Sequence, residues 1–306
     1  MNIVFMGTPD FAVKSLEQII KDGHNVLAVY TKADAPKGRK MVLTPSDVKV
    51  CALEHNLTVY TPNSFKDEAE VERLKALDPD LIVVVAYGKL LPKAVLDIPK
   101  YGCVNVHGSI LPKWRGAAPI QWTVLSGDEY GGVTTMYMNE GLDTGDIIFT
   151  REVKVGENET SGELFDRLCV DGAELLSETI KAIEDGIAPR IPQNNDEATY
   201  ASMLSKELSE IDFTKPAKEV HNKVRGLSPW PSAQTKLFSK RIKVIETRVC
   251  DKKGEAGKVI ATNPLTVACG EGAVEILTLQ PEGKRAMASD DYLKGHPLDI
   301  GTFFGE

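Results

Sequence analysis

The chain has only five cysteines among its 306 residues, and none of them forms a C-x-x-C pair. Closely spaced cysteine pairs are typical of zinc sites and redox motifs, and even-numbered sets in short secreted chains are typical of disulfide frameworks. Neither pattern is present here. We therefore expect reduced, mostly buried thiols and a cytoplasmic protein.

Long apolar runs are also missing. The longest, at residues 81–87, is far shorter than the ~20 residues that a membrane-spanning helix needs. The opening stretch MNIVFMGTPDF lacks both the basic region and the long apolar region of a signal peptide. No H-x-H, H-E-x-x-H or carboxylate cluster has the spacing of metal ligands. The sequence thus predicts a protein without a membrane segment and without a metal.

The glycine fingerprint of dinucleotide-binding proteins is absent as well. Gly7 follows the first apolar run, but GTPDFA is not G-x-G-x-x-G, and no acidic residue ends the second run. A structural turn at Gly7 is the better interpretation, and a nicotinamide-dependent dehydrogenase is disfavoured.

Charge is present, but it is unevenly distributed. The net charge is −8, and residues 1–209 carry 21 basic and 31 acidic side chains. Residues 215–258 reverse this balance, with 12 basic and 4 acidic side chains. Residues 31–45 form a second basic stretch, predicted as a long loop without regular structure. An acidic protein with two local basic elements is consistent with specific phosphate contact, although solvated charge is the plainer alternative.

Apolar runs alternate with helical patterns along the first half. We expect strands at 2–6, 25–30, 57–60, 80–86 and 102–107, with helices between them that begin at Thr8-Pro9 and Thr44-Pro45. Further extended stretches at 132–138 and 147–154 precede a helix at about 160–185. Continuous Val, Ile and Leu strands alternating with helices predict an α/β fold, with a Rossmann-like, mostly parallel sheet and flanking helices.

The second half has a different pattern. Residues 190–209 are irregular and predict a linker between a catalytic domain at 1–189 and a C-terminal domain at 210–306. The C-terminal domain has one helical stretch and several short strands broken by Gly and Pro. This pattern favours a small β-barrel of the OB-like kind.

Asn105 and His107 are the sharpest candidates for chemistry. Alternate residues of a strand share a face, so these two side chains point to one side and Val104 and Val106 to the other. Open α/β sheets bind ligands at the carboxyl ends of their strands, where this pair lies. An amide donor beside an imidazole suits addition to a carbonyl carbon. A purely structural histidine is the alternative.

The stretch NEGLDTGD supplies a third candidate group. Asp143 and Asp146 lie between two extended segments, with Gly141 and Gly145 beside them. One of these carboxylates is a candidate to orient or charge His107, and a hairpin turn with solvated carboxylates is the alternative.

The run NVHGSILPKWRGAAPIQW, with LDTGDI beginning further along the chain, resembles the folate-dependent formyltransferases. GTPDFA, KGRK and VRGLSPWPSA strengthen the resemblance, which covers nearly the whole chain. It implies that Asn105, His107 and Asp143 form the active site. It also implies a folate-binding turn made by Ser109, Ile110, Leu111 and Pro112.

The resemblance further implies the reaction. The expected formyl donor is 10-formyltetrahydrofolate, and the expected acceptor is the α-amine of initiator methionyl-tRNA, which the C-terminal barrel and the residues Lys37, Arg39 and Lys40 would contact. An amino sugar or a purine-precursor amine is the alternative acceptor. A pure RNA-binding protein is the rival from another class. We see no heptads or large apolar patch, and therefore expect a monomer.

Overall fold

The computed structural model describes residues 1–38 and 41–305. The chain divides into two compact units, each assembled from three separate segments. The first unit contains residues 1–116, 132–153 and 165–200. The second contains residues 117–131, 154–164 and 201–306. Two segments that precede residue 165 therefore belong to the second unit, and the expected linear bounds of 1–189, 190–209 and 210–306 stay a prediction.

Strands are distributed along the whole described chain. In order, they are β1 (Asn2–Gly7), β2 (Asn25–Tyr30), β3 (Ala35–Lys37), β4 (Val42–Thr44), β5 (Val59–Tyr60), β6 (Leu81–Val85), β7 (Cys103–His107), β8 (Arg115–Gly116), β9 (Tyr130–Tyr137), β10 (Ile147–Lys154), β11 (Tyr200–Ala201), β12 (Gln234–Leu237), β13 (Lys240–Cys250), β14 (Val259–Thr262), β15 (Leu265–Ala268), β16 (Ala273–Pro281) and β17 (Met287–Ala288).

The α-helices lie between these strands. They are α1 (Val13–Lys21), α2 (Asp47–Glu54), α3 (Glu68–Ala76), α4 (Lys93–Leu96), α5 (Pro119–Ser126), α6 (Ser161–Glu184), α7 (Ala217–Gly226) and α8 (Ser289–Gly295). Among the helices that the structure describes, none is both long and apolar enough to cross a membrane.

The first unit is built on a seven-stranded sheet in the order β10-β9-β7-β6-β1-β2-β5. The pairs from β5 to β7 are parallel, whereas β7 and β9 are antiparallel. All five residues of β6 and of β7 are buried, as expected for parallel strands covered on both faces. Because β7 and β9 are antiparallel, the connection from β9 to β10 begins beside the amino end of β7, where the Met138 N–H donates to the Cys103 carbonyl oxygen.

The second unit contains an antiparallel sheet in the order β12-β13-β16-β15-β14, with β17 paired to β16. Val220 and Val224 of α7 share one core cluster with Val244 of β13 and Ile276 of β16. The two sheets confirm the predicted fold class, an α/β Rossmann-like sheet followed by a small C-terminal β-barrel.

Three local predictions are wrong. Thr8 does not cap a helix, because its hydroxyl donates to the Tyr87 carbonyl oxygen at 3.0 Å. Helix α2 is capped by Ser46 rather than Thr44, and the Ser46 Oγ accepts from the Lys49 N–H at 3.1 Å. The 31–45 stretch is not without regular structure, since β3 and β4 pair within it as a short antiparallel hairpin.

The prediction of reduced, mostly buried thiols is confirmed. All five cysteines are free, and only Cys250 is more than slightly accessible. Burial raises the pKa of Cys103, Cys169 and Cys269 to about 12 each, so these thiols stay protonated at neutral pH.

Candidate active site

Strand β7 carries Asn105 and His107 side by side on one face. Asn105 is paired with Met136 and His107 with Thr134 of β9, so the position of both is fixed by the sheet register. Their exposed fractions are only 8% and 6%. Two polar side chains thus lie almost fully buried at the carboxyl end of a central strand.

The His107 ring has a defined partner at one nitrogen. Its Nε2 lies 2.9 Å from the Trp114 carbonyl oxygen. A carbonyl oxygen only accepts hydrogen bonds, so Nε2 carries the proton in this interaction. The other nitrogen, Nδ1, lies 3.9 Å from the Asp143 Oδ2, too far for a direct hydrogen bond.

The Asn105 side chain, unlike that of His107, has no hydrogen-bond partner among the described residues. Within residues 1–38 and 41–305, its amide makes no hydrogen bond, although it is largely buried. The fully enclosed side-chain atoms without a partner among the described residues belong to Tyr30, Tyr87 and Thr235, so the Asn105 amide atoms still reach solvent. The amide is therefore available to a substrate atom.

The connection between β9 and β10 supplies Asp143. This residue has a positive φ of 53°, a conformation that Asp tolerates better than most residues. Its Oδ2 accepts a hydrogen bond from the Gly116 N–H at 2.8 Å, which aims the carboxylate toward His107. Gly145 is required in the same connection, because an added Cβ would lie 1.6 Å from the Tyr137 carbonyl oxygen.

Asp146 has other partners. Its Oδ2 lies 3.8 Å from an Arg190 guanidinium nitrogen, and that guanidinium lies 3.6 Å from the centre of the Tyr137 ring. Of the two carboxylates left open by the sequence, Asp143 is the one that the structure brings to His107.

Gln193 was missed by sequence reasoning, which assigned it to a linker. Its Nε2 donates to the carbonyl oxygens of Asp143 at 2.9 Å and Gly145 at 2.7 Å. Its Oε1 accepts from Arg115 at 2.7 Å, and Arg115 also donates to Asn195 Oδ1 at 2.9 Å. Arg115 is only 2% exposed. Together these side chains hold the Asp143 connection in place.

The predicted folate turn is compact and internally bonded. Ser109 is fully buried and its hydroxyl donates to the Lys113 carbonyl oxygen at 2.6 Å, while its own carbonyl oxygen accepts from Thr134 Oγ1 at 2.7 Å. Leu111 is also buried. Ile110 and Pro112 are the partly exposed members of the turn.

Of the three residues predicted to contact tRNA, the structure describes Lys37. Lys37 ends β3 and is exposed. Arg39 and Lys40 lie outside the described residues.

Comparison with known proteins identifies the class. Residues 1–180 match the family model described as formyl transferase, and residues 203–297 match the one described as formyl transferase, C-terminal domain. The chain therefore belongs to the formyl transferase family, as the sequence motifs predicted. Two of its relatives that align from end to end are methionyl-tRNA formyltransferases. It is 49% identical to that of Agathobacter rectalis, with 99% of each chain covered, and 47% identical to that of Clostridioides difficile, with 100% of each covered.

Solved structures share the fold. An N-formyltransferase of Helicobacter canadensis, in complex with folinic acid and dTDP-3-aminofucose, superposes with a TM-score of 0.69 at 20% identity over 92% of this chain and 99% of that chain. HypX of Aquifex aeolicus in complex with tetrahydrofolic acid gives a TM-score of 0.62 at 18% identity, over 99% of this chain and 51% of that chain.

Proposed function

We propose that this protein transfers the formyl group of 10-formyltetrahydrofolate to the α-amino group of initiator methionyl-tRNA, giving N-formylmethionyl-tRNA for translation initiation. The observation that carries this proposal is the end-to-end similarity to methionyl-tRNA formyltransferases at 49% and 47% identity. Folate derivatives bound to two proteins of similar fold support the choice of donor.

In the proposed reaction the Asn105 amide stabilises negative charge. The neutral α-amine attacks the formyl carbon, and the formyl oxygen becomes an oxyanion in the tetrahedral intermediate. The amide of Asn105 is largely buried and makes no hydrogen bond to another described residue, so it is free to donate to that oxygen. A preorganised donor of this kind is worth ~10²–10³ in rate.

His107 and Asp143 move and balance the proton. A nitrogen atom can lie ~2.8 Å from both Nδ1 and Oδ2, because those two atoms are 3.9 Å apart. The incoming amine releases a proton to Nδ1 as its bond to the formyl carbon forms. His107 then delivers this proton to the departing folate nitrogen as the bond between that nitrogen and carbon breaks. The Asp143 carboxylate stabilises the transient imidazolium charge.

Substrate contacts outside the reacting atoms follow from the resemblance. The turn made by Ser109, Ile110, Leu111 and Pro112 would form one wall of the folate site. Ile110 and Pro112 are the half-buried residues of this turn, so their side chains are accessible to a bound folate. Lys37, Arg39 and Lys40 would contact the tRNA phosphates, and Arg39→Ala would raise the tRNA KM and lower its salt dependence. A monomeric, metal-free, cytoplasmic enzyme completes the proposal.

The test is a direct comparison of acceptors. Purified protein is incubated with 10-formyltetrahydrofolate labelled in the formyl group and with either methionyl-tRNA or a nucleotide-linked amino sugar. We expect label to appear in acid-precipitable N-formylmethionyl-tRNA, with little transfer to the sugar. Faster transfer to the amino sugar would overturn the acceptor, and transfer to neither would overturn the proposed function.

A further inference from the structure

The hairpin between β12 and β13 has an unusual turn. Leu237 pairs with Lys240, so only Phe238 and Ser239 lie between the strands. Both have positive φ values, 51° and 60°. This is the conformation of a two-residue type I′ turn, for which Asn-Gly or Gly-Gly is strongly favoured. A bulky aromatic residue is disfavoured there.

Phe238 gains little from packing to offset this strain. Its side chain is 67% exposed, whereas the adjacent Leu237 is 2% exposed and belongs to the core of the unit. The turn therefore holds a flat apolar ring in solvent, in a conformation that a smaller residue would adopt more easily. Strained residues that the fold does not need are concentrated at functional sites.

The charges around the ring are equally unfavourable for folding. Lys236 pairs directly with Arg241 across the hairpin, and like charges opposite each other destabilise a sheet. Lys240 and Lys243 follow on the same strand. In the part of the chain that the structure describes, no carboxylate lies within 4.0 Å of any of these four cations. An anionic partner would relieve this repulsion.

We propose that the hairpin tip, residues 236–241, is an RNA contact in which the Phe238 ring stacks on an unpaired base of the tRNA. Lys236, Lys240 and Arg241 would neutralise the flanking phosphates. An exposed aromatic ring among unpaired cations is the combination that binds single-stranded nucleic acid, because every base offers a flat face and every nucleotide a charge. This inference rests on the proposed function and adds the type of contact and the residues that make it.

The experiment separates binding from stability. The full-length double variant Phe238→Asn/Ser239→Gly installs the favoured turn and removes the ring. We expect its thermal stability to equal or exceed that of the parent protein. Its Kd for initiator tRNA, measured by fluorescence anisotropy, should be about tenfold weaker with an unchanged salt slope, since stacking involves no charge. Phe238→Trp, which keeps a flat aromatic ring at the turn, should bind initiator tRNA as tightly as the parent protein.

Two further variants test the role of charge at the tip and the specificity of the contact for Phe238. Arg241→Gln should weaken binding and reduce the slope of log Kd against log salt by about one. Tyr130→Asn removes another exposed aromatic side chain of the same unit and should leave the Kd unchanged.

The outcomes distinguish this inference from the proposed function. If the parent protein formylates methionyl-tRNA while the double variant and Arg241→Gln bind tRNA as tightly as the parent, the tip is not a contact and the function stands. If the parent neither binds tRNA nor formylates it, the function itself fails. Loss of binding to vesicles of anionic phospholipid, with tRNA binding unchanged, would overturn the RNA contact in favour of a membrane surface.

Discussion

Asn105 and His107 are neighbours on one strand face, but their surroundings differ. Both ring nitrogens of His107 face oxygen atoms, one of Trp114 and one of Asp143. The Asn105 amide has no such partner among the described residues. Removing the amide therefore breaks no bond of the fold, and its loss is expected to affect only the reaction.

Asn105→Ala should lower kcat by ~10²–10³ with little change in thermal stability, because the oxyanion loses one preorganised donor. Single-turnover formylation of methionyl-tRNA at saturating folate measures this. Asn158→Ala, at an exposed asparagine, is the matched control and should be unchanged. Near parental turnover in a well-folded Asn105→Ala protein would remove Asn105 from the mechanism.

Gln193→Met keeps the size of the side chain but leaves the carbonyl oxygens of Asp143 and Gly145 without their donor. We expect kcat to fall about tenfold, since each of the lost hydrogen bonds is worth about 1 kcal/mol and the Asp143 connection would loosen. The KM for tRNA should not change. Gln18→Met, which removes a surface hydrogen bond from α1 to Asp22, is the control. Equal kcat values in the two variants would show that Gln193 has no positioning role.

The site residues differ in how far the sequence could predict them. Asn105 and His107 follow from the period of a strand and from a short motif, so they were recognisable without a structure. The role of Gln193 depends on bonds to residues about 50 positions before it and to Arg115, 78 positions before it. Such contacts leave no local pattern, and only the folded chain brings them together.

At the scale of elements, buried strands were predicted within a few residues, whereas the helix caps predicted at Thr8 and Thr44 were wrong. The apolar runs of β1, β6 and β7 are determined by burial on both faces, which is a strong local signal. Thr8 has the residue type of a cap, but its hydroxyl is used by the Tyr87 carbonyl oxygen, 79 positions away. A tertiary partner thus overrides the local preference.

Helices α5 and α7 are packed closely at Gly226. An added Cβ there would lie 2.8 Å from Leu125 Cγ and 3.0 Å from the Leu125 backbone nitrogen. Gly226→Ala should therefore lower the free energy of unfolding by about 1–2 kcal/mol, because the helices must separate. Thermal or urea unfolding measures this.

The control is Gly295→Ala at the end of α8, where nothing lies within 4 Å of the added Cβ. This variant should be as stable as the parent protein or slightly more so. A Gly226→Ala protein as stable as Gly295→Ala would show that the helix contact has room for a methyl group.

For the molecule as a whole, acid sensitivity is expected from His221. This residue is 6% exposed, with its Nδ1 2.9 Å from Thr247 Oγ1 and its Nε2 3.0 Å from the Glu157 carbonyl oxygen. Burial lowers the pKa of His221 below 6.5; the hydrogen bond to the Glu157 carbonyl oxygen partly opposes this shift, and the positive charge of Arg225 adds to it. The folded state therefore keeps this ring neutral at pH values where the unfolded chain has already bound a proton.

Acidification should therefore lower the free energy of unfolding. Above pH 6.5 the ring is neutral in both states and adds nothing to the pH dependence. As the pH falls below 6.5, the unfolded chain gains the proton first, so the free energy of unfolding decreases until the folded pKa is passed. Urea unfolding of the parent and of His221→Gln at pH 8 and pH 5.5 tests this. The variant should lose less stability on acidification, and an equal loss in both proteins would exclude His221 as the cause.

The division of the chain between its two units limits how recombination can exchange them. The chain passes from one unit to the other after residues 116, 131, 153, 164 and 200. A genetic recombination event with a single crossover exchanges one continuous stretch, and no such stretch coincides with either unit. The two units are therefore expected to evolve as a pair, and a chimaera joined at one point would combine segments that were never selected to pack together.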